Sequence, residues 1–286
     1  MAHARRFLAT KGFDVQRALG TGATSDVYAA EHARVGTVAM KVGRGPEHRE
    51  ALVREMATLR ELDHPGLPRA IGFLDTPEGN PVLVMTLLQG ASFSDHRQAG
   101  TPHEAVTLAI SLLAILDHVH RRGIVHCDVK GQNVLVAHRA QLVDFGIARR
   151  IGQSAVDESG DVAGTPAYMA PEVLEGGVVD ERTDLYSLGV FIYRSLTGRF
   201  PFPRERAMNL PAKKDLTWLP PTILRSRLPN AMDLLLEKML APEPEDRAST
   251  DEVRQGLRAM LPLLSRGPSS YPHVSAESGT TRRPGF

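Results

Sequence analysis

Residues 124–146 constrain the fold of this chain more than any other stretch, because they carry polar side chains between short apolar runs. The polar side chains suited to phosphate and metal chemistry are Asp128, Lys130, Asn133 and Asp144. Carboxylate and amide oxygens, together with phosphate, are ligands that Mg²⁺ prefers. The stretch therefore suits a magnesium ion and a polyphosphate, and it leaves Asp128 free to act on a hydroxyl group.

The apolar runs within this stretch predict a short β-hairpin. Residues 134–136 and 142–143 are apolar, and residues 138–140 join them. Asn133 comes directly before the hairpin and Asp144 directly after it. We therefore expect both side chains to face the same point.

The same stretch resembles two motifs of the eukaryotic-type (Hanks-type) serine/threonine protein kinases. Residues 126–128 (His-Cys-Asp) with Asn133 are similar to the catalytic loop, and residues 144–146 (Asp-Phe-Gly) are similar to the metal-binding loop. Cys127 stands where most of these kinases carry arginine. By the resemblance, His126 is a packed structural residue.

Phosphate-binding motifs of the family occur earlier in the chain and in the family's order. Residues 20–27 read Gly-Thr-Gly-Ala-Thr-Ser-Asp-Val, and Gly20 and Gly22 would let backbone N–H groups approach phosphate oxygens. Ser25 replaces the family's third glycine. Residues 38–41 (Val-Ala-Met-Lys) resemble the kinase motif whose lysine pairs with the α and β phosphates.

Lys41 lies in an otherwise apolar strand, where an unpaired charge is costly. Its expected partner lies on a helix that begins near Pro46, a favourable first-turn residue. Glu55 sits within the apolar face of that helix. Glu50 is the alternative partner, but it lies off that face.

The resemblance also implies an adenine pocket. Met85 would gate the pocket, and Thr86 and Leu88 would bind adenine through backbone groups. The residues expected to enclose the base are Val27, Ala39 and Leu135. Core packing alone is the alternative interpretation of these three residues.

Further kinase motifs follow in the second half of the chain. A capping box at Thr101 predicts a long helix. Residues 164–172 (Gly-Thr-Pro-Ala-Tyr-Met-Ala-Pro-Glu) resemble the end of a kinase activation segment. In that resemblance Thr165 bonds both Asp128 and Lys130.

Long-range partners complete the resemblance. Asp184 is expected to open an apolar helix that runs to Thr197 and is closed by Gly198, and to tie down the catalytic loop. Glu172 has a family-type partner in Arg247. Candidate phosphate acceptors in the activation segment are Ser154, Ser159 and Thr165.

The implied fold is α+β and bilobal, as in protein kinases. A small β-rich N-lobe with one key helix, residues 13–87, would precede a larger, mainly helical C-lobe, residues 88–264. Residues 1–12 would be an N-terminal extension. Residues 265–286, dominated by Ser, Thr, Gly, Pro and Arg, are expected to be disordered.

The implied function is ATP-dependent phosphorylation of serine or threonine hydroxyls on protein substrates, with autophosphorylation expected. ATP and Mg²⁺ are the implied cofactors. The assigned roles are Lys41 for the α and β phosphates, Asn133 and Asp144 for the metal, Lys130 for the transferred group and Asp128 for the attacking hydroxyl. Lys130 together with Thr165 indicates serine or threonine substrates rather than tyrosine.

Composition argues against several other classes. The 34 Lys and Arg nearly balance the 33 Asp and Glu, so no net field favours nucleic acid or a membrane surface. The single cysteine fits a reducing compartment. Residues 1–12 lack the apolar core of a secretory signal, and the longest apolar run, residues 106–116, is too short to span a bilayer. We expect a cytoplasmic protein without a membrane anchor in this chain, regulated by a partner or by expression.

Two other functional classes stay open. A nucleotide-binding pseudokinase or scaffold is suggested by Ser25 and Cys127, whereas the intact acidic and lysine positions argue against it. A small-molecule kinase of the same fold is the second class, and residues 164–172 argue against that.

Two departures from the family bear on regulation and on loop structure. The usual arginine gathers a phosphorylated activation loop by charge-assisted bonds, which Cys127 cannot form. Activity that does not depend on activation-loop phosphate through this residue is therefore expected, with a redox role for the thiol as the alternative. Gly131, where proline is usual, is expected to loosen the loop slightly.

Overall fold

A five-stranded antiparallel sheet forms the first lobe. Its strands are β1 (Phe13–Thr21), β2 (Ser25–His32), β3 (Gly36–Gly43), β4 (Ala70–Asp75) and β5 (Pro81–Thr86), in the spatial order β1-β2-β3-β5-β4. The structure is a computed structural model that describes residues 2–95, 100–137, 139–156, 160–202 and 218–264. The near-continuous apolar runs of β3 and β5 suit interior strands that are covered on both faces.

Helix α1 (Ala2–Thr10) covers one face of this sheet. Leu8 is buried there with inward-facing residues of β3 and β5, among them Met40 and Val84. Leu83, next to Val84, belongs to the core on the other face. The predicted N-terminal extension therefore contains a helix that packs as a layer of the first lobe.

Helix α2 (Arg49–Arg60) covers the opposite face, after a 3₁₀ turn at Pro46–His48. Its buried residues Leu52, Glu55 and Leu59 recur at helical spacing. The helix therefore turns one apolar face, with a carboxylate in it, toward the sheet.

Helices dominate the second lobe. Those among its described residues are α3 (Pro102–His120), α4 (Pro171–Leu174), α5 (Glu181–Thr197), α6 (Pro221–Leu224), α7 (Asn230–Met239) and α8 (Thr250–Met260). Nearly every side chain of α5 is buried, and α5 packs against both α3 and α7. The two lobes together confirm the predicted bilobal α+β fold.

The helix termini agree with the sequence at α3 and differ at α5. Thr101 and Glu104 form the predicted capping box at the start of α3. The prediction that Asp184 opens α5 is wrong, because Asp180 is the capping residue and Asp184 lies in the first turn. Gly198 ends α5 as predicted, in the left-handed conformation at φ 72°.

Short strands hold the loops between the lobes. They are β6 (Ala91–Ser92), β7 (Ile124–Val125), β8 (Val134–Val136), β9 (Ala140–Leu142) and β10 (Arg149–Arg150). β8 and β9 form the predicted hairpin, with Val136 opposite Ala140. Ala140 belongs to the strand rather than to the connection, because Ala140 and Leu142 alternate as buried residues.

Two sequence-based predictions lie outside the described residues, namely the disordered tail at 265–286 and the candidate acceptor Ser159. Within the described ranges, no helix combines the length and apolarity needed to cross a bilayer.

A buried ion pair joins α4 to the segment before α8. The two terminal nitrogens of Arg247 donate to the two carboxylate oxygens of Glu172 over 2.7 and 2.6 Å. Thr183 donates a further hydrogen bond to Glu172 over 2.9 Å. The pairing expected from the sequence is therefore present.

Replacing Arg247 with alanine is expected to lower the free energy of unfolding by about 3–5 kcal/mol, because Glu172 would stay buried without its cation. Denaturant unfolding followed by circular dichroism measures this loss. The control is Lys238→Ala, which breaks an exposed pair with Glu252 of 3.8 Å and should cost less than about 1 kcal/mol. Equal losses in the two variants would contradict this interpretation.

Candidate active site

Lys41 on β3 is the cation that two acidic groups share. Its Nζ lies 2.6 Å from Glu55 Oε2 and 2.6 Å from Asp144 Oδ1. Burial alone would lower the pKa of Lys41, but the carboxylates of Glu55 and Asp144 raise it above its usual value. The expected pairing with Glu55 is present, whereas Glu50 is exposed and lies 3.7 Å from Arg54.

The two carboxylates around Lys41 differ in exposure. The Glu55 side chain is 2% exposed, and its burial raises its pKa while Lys41 opposes the rise. The Asp144 side chain is 44% exposed. Lost hydration acts to raise the pKa of Asp144, but the Lys41 ammonium outweighs it and holds the pKa below its usual range. Asp144 thus presents a charged oxygen to solvent.

The catalytic loop arranges a second cluster around Asp128. The Asn133 side-chain amide donates to the backbone oxygen and to Oδ2 of Asp128, over 3.0 and 2.9 Å. Lys130 Nζ lies 2.6 Å from Asp128 Oδ2 and donates to Thr165 Oγ1 over 2.9 Å. Among the described contacts Thr165 reaches Asp128 only through Lys130, so the direct bond implied by the resemblance is not formed.

One backbone hydrogen bond connects the two clusters. The N–H of Val143, directly before Asp144, donates to the backbone oxygen of Asn133 over 2.9 Å. The hairpin between them thus brings the loop that carries Asn133 beside the loop that carries Asp144, as its sequence predicts.

Asp184 holds the catalytic loop in place through hydrogen bonds to its backbone. Its carboxylate accepts the backbone N–H of His126 over 2.8 Å and that of Cys127 over 2.9 Å. His120 Nε2 lies 2.8 Å from the same carboxylate. Complete burial acts to raise the pKa of Asp184, but His120 and the backbone N–H of His126 hold it below its usual range.

His126 is a structural residue in this arrangement. Its Nδ1 accepts the backbone N–H of Asp128 over 3.2 Å, and its Nε2 lies 3.2 Å from the Val143 carbonyl oxygen. The ring also packs edge-on against Phe145, with ring centroids 4.6 Å apart. Both nitrogens are engaged and the side chain is fully buried, so it fixes two loops rather than facing a substrate.

Gly131 occupies a crowded position in the catalytic loop. A Cβ there would lie 2.8 Å from Ser94 Oγ and 3.2 Å from the Phe93 ring. The Gly131 carbonyl oxygen accepts the Ser94 N–H and the Ser92 hydroxyl, over 3.2 and 3.1 Å. The missing side chain allows this close packing, which holds the loop against the turn after β6.

The predicted nucleotide-binding residues lie on or next to the strands of the first lobe, and on β8. Gly20 and Gly22 are exposed in and after β1, and the N–H of Gly22 donates to the Ser25 carbonyl over 2.8 Å. Residues expected around adenine range from buried to half-buried, and they are Val27, Ala39, Met85, Thr86, Leu88 and Leu135. In the sheet register Ala39 lies opposite Met85, and Val27 lies opposite Lys41. The Thr86 side chain accepts the N–H of Arg69 over 2.9 Å, so it binds the backbone directly before β4.

Two residues with clear positions were not assigned a role from sequence. His120, in the last turn of α3, contacts Asp184, which lies 64 residues later in the sequence. Its position at a helix C-terminus was the only feature of the sequence that could have indicated a role. Tyr168 belongs to the quoted activation-segment motif, but its hydroxyl accepts bonds from Gly131 and Arg194. Nothing in the local sequence indicates those partners.

Comparison with known families supports the resemblance. The family model described as the protein kinase domain matches residues 13–256, which is most of the chain. The chain therefore belongs to the protein kinase family.

The relatives are serine/threonine kinases. Serine/threonine-protein kinase PknJ of Mycobacterium tuberculosis is 30% identical over 295 residues, covering 96% of this chain and 50% of the relative. Serine/threonine-protein kinase pkn2 of Myxococcus xanthus is 35% identical over 278 residues, with 88% and 33% covered. Human serine/threonine-protein kinase D3 is 35% identical over 248 residues, with 82% and 27% covered. The chain spans about half the length of the first of these relatives, and less of the other two.

Cys127 is expected to resist alkylation in the folded protein. Burial, with the nearby Asp184 carboxylate, raises the pKa of its thiol far above the usual value, so the reactive thiolate is scarce at pH 8. Iodoacetamide labelling followed by intact-mass measurement should show no adduct on native protein and one adduct on urea-unfolded protein, since the chain has 1 cysteine. Native labelling at the rate of a free thiol would contradict the burial.

Proposed function

We propose that this chain transfers the γ-phosphoryl group of ATP to serine or threonine hydroxyls of protein substrates. The observation that carries the proposal is the convergence of the Lys41 cluster and the Asp128 cluster at the junction of the two lobes. Lys41 is paired with both Glu55 and Asp144, so the first lobe is already aligned with the second.

The residues around this junction fit ATP with Mg²⁺. No group of three histidine, cysteine or acidic side chains suited to a metal occurs among the described residues. Asn133 and Asp144 instead suit a magnesium ion that takes most of its ligands from phosphate and water. Both amide hydrogens of Asn133 engage Asp128, which leaves its oxygen as the free ligand atom.

Bound Mg-ATP would supply the phosphoryl group, with its phosphate charge partly neutralised by the metal. Lys41, held between two carboxylates, would orient the α and β phosphates. The exposed backbone of Gly20 and Gly22 would cover the phosphates. Ser25 in place of the third glycine is compatible with a tight turn, since its carbonyl accepts the N–H of Gly22 over 2.8 Å.

Asp128 would orient the substrate hydroxyl and accept its proton. The Asn133 amide and the Lys130 ammonium both contact Oδ2 of this carboxylate, which restricts its rotation. Lys130 would stabilise negative charge on the transferred group. Thr165 accepts a hydrogen bond from Lys130 and so holds the ammonium near Asp128. This arrangement favours serine and threonine acceptors.

Regulation is the second part of the proposal. Cys127 is a half-buried residue of the catalytic loop, in a left-handed conformation at φ 64°. A neutral thiol cannot gather a phosphorylated loop, so activity should not depend on loop phosphate through this position. We further propose autophosphorylation, control by a partner protein, and a cytoplasmic location in keeping with the single cysteine.

Replacing Asp128 with asparagine tests the function. The variant should lose phosphoryl transfer by about 10²–10⁴ in kcat, because the amide cannot accept the hydroxyl proton. Transfer of radiolabelled phosphate from ATP to a Ser/Thr peptide mixture measures the rate, and fluorescent-nucleotide binding should stay close to that of the wild type. The control is Asp251→Asn on the exposed start of α8, which should keep full activity. A wild type without transfer, or an active Asp128→Asn, would refute the proposal.

Phosphatase treatment tests the regulatory part. After treatment and removal of the phosphatase, the initial rate of phosphoryl transfer should equal that of untreated enzyme, because residue 127 is not a cation and cannot bind the phosphate. Cys127→Ala is the matched variant and should behave in the same way. The proposal is wrong if dephosphorylation abolishes activity and phosphate on Ser154, Ser159 or Thr165 restores it.

A further inference from the structure

Arg194 of helix α5 places a positive charge beside the catalytic loop without an acidic partner among the described residues. Its Nη1 donates to the Tyr168 hydroxyl over 2.7 Å. Its guanidinium carbon lies 4.7 Å from the centroid of the Phe200 ring. A guanidinium has five N–H donors, and this is the one hydrogen bond that the Arg194 side chain makes within the described part of the chain. Most of its N–H donors therefore have no partner among the described residues.

Tyr168 connects this arginine to the catalytic loop. The buried tyrosine oxygen also accepts the backbone N–H of Gly131 over 3.4 Å. Gly131 directly follows Lys130, which pairs with Asp128. Only one tyrosine oxygen therefore separates the guanidinium from the loop that would position the acceptor hydroxyl.

The aromatic rings hold the guanidinium in a defined place. Tyr168 and Phe200 meet edge-on with ring centroids 5.3 Å apart, and Arg194 lies over Phe200. Stacking of this kind restrains the planar group without consuming its N–H donors. Arg194 is half-buried, so ordering it for a ligand costs less than ordering a free surface arginine.

Two described polar residues next to Gly131 in the catalytic-loop region carry no charge. Gln132 is exposed on the catalytic loop and neutral. Ser94, whose hydroxyl faces Gly131, is also neutral. An acidic side chain near Arg194 would meet a cation, whereas a basic side chain would meet repulsion.

We propose that Arg194 is a specificity-determining residue that binds an acidic side chain of the protein substrate, close in sequence to the phosphorylated serine or threonine. This inference rests on the proposed kinase function and names the substrate class for it. A carboxylate can take two parallel N–H bonds from the free side of the guanidinium, which gives both strength and geometric selectivity.

A purely structural role for Arg194 predicts a different kinetic pattern. If the residue only supports Tyr168 and the loop, its loss should lower kcat for every peptide alike. If it binds a substrate side chain away from the reacting atoms, its loss should raise KM for acidic peptides and leave kcat unchanged.

The experiment compares three matched peptide series with one serine acceptor in an alanine-rich background. Each series carries a single Glu, Gln or Arg, moved through every position on either side of the acceptor. The wild type should favour Glu over Gln by about tenfold in kcat/KM at one position, the size expected for one charge-assisted contact. Arg at that position should be the poorest substrate.

Three variants separate the possible outcomes. Arg194→Gln should remove the preference through KM, and Arg194→Glu should reverse it toward the Arg peptide. Arg258→Gln, at an exposed arginine of α8, should keep the wild-type preference. Equal kcat/KM for the three series in the wild type, or a uniform fall in kcat with Arg194→Gln, would overturn this inference alone. Absence of transfer to every peptide would overturn the proposed function and this inference with it.

Discussion

The arrangement of the site depends on the contacts that the buried carboxylate of Asp184 makes. It accepts the backbone N–H groups of His126 and Cys127 and contacts His120, so the catalytic loop and α3 are both tied to one side chain of α5. Cys127 adopts φ 64°, a conformation that costs a non-glycine residue roughly 1–3 kcal/mol. The bonds to Asp184 offset that cost, and they aim the following residue, Asp128, at the junction of the lobes.

Lys41 extends this order into the first lobe. A buried ammonium needs nearby negative charge, and it finds one carboxylate on α2 and another in the loop after β9. The position of α2 is thereby coupled to the loop that carries Asp144. His126 reinforces the coupling, because its two ring nitrogens bridge the Asp128 and Asp144 loops through backbone groups. The proposed chemistry thus depends on two charge clusters that share one scaffold.

Local signals in the sequence predicted much of this fold and site. The apolar strand around Lys41, the helical face around Glu55 and the capping box at Thr101 each specify structure within a few turns of chain. The bonds of His120 and Tyr168, and the cover that α1 gives the sheet, depend on contacts between distant segments, which periodicity does not encode. The start of α5 was misjudged because two aspartates compete for the cap, and Asp180, with Thr183 three residues later, completes the box.

Helix α1 limits where the chain can be truncated without exposing apolar side chains. The matched family region begins at residue 13, after α1 has ended. A shortened chain starting there would uncover Met40, Val84 and their neighbours, which Leu8 now shields from water. A contiguous apolar face of that kind promotes self-association. Recombinant fragments that begin at residue 13, where the family match begins, would therefore be less soluble, although they would still contain every group proposed for the chemistry.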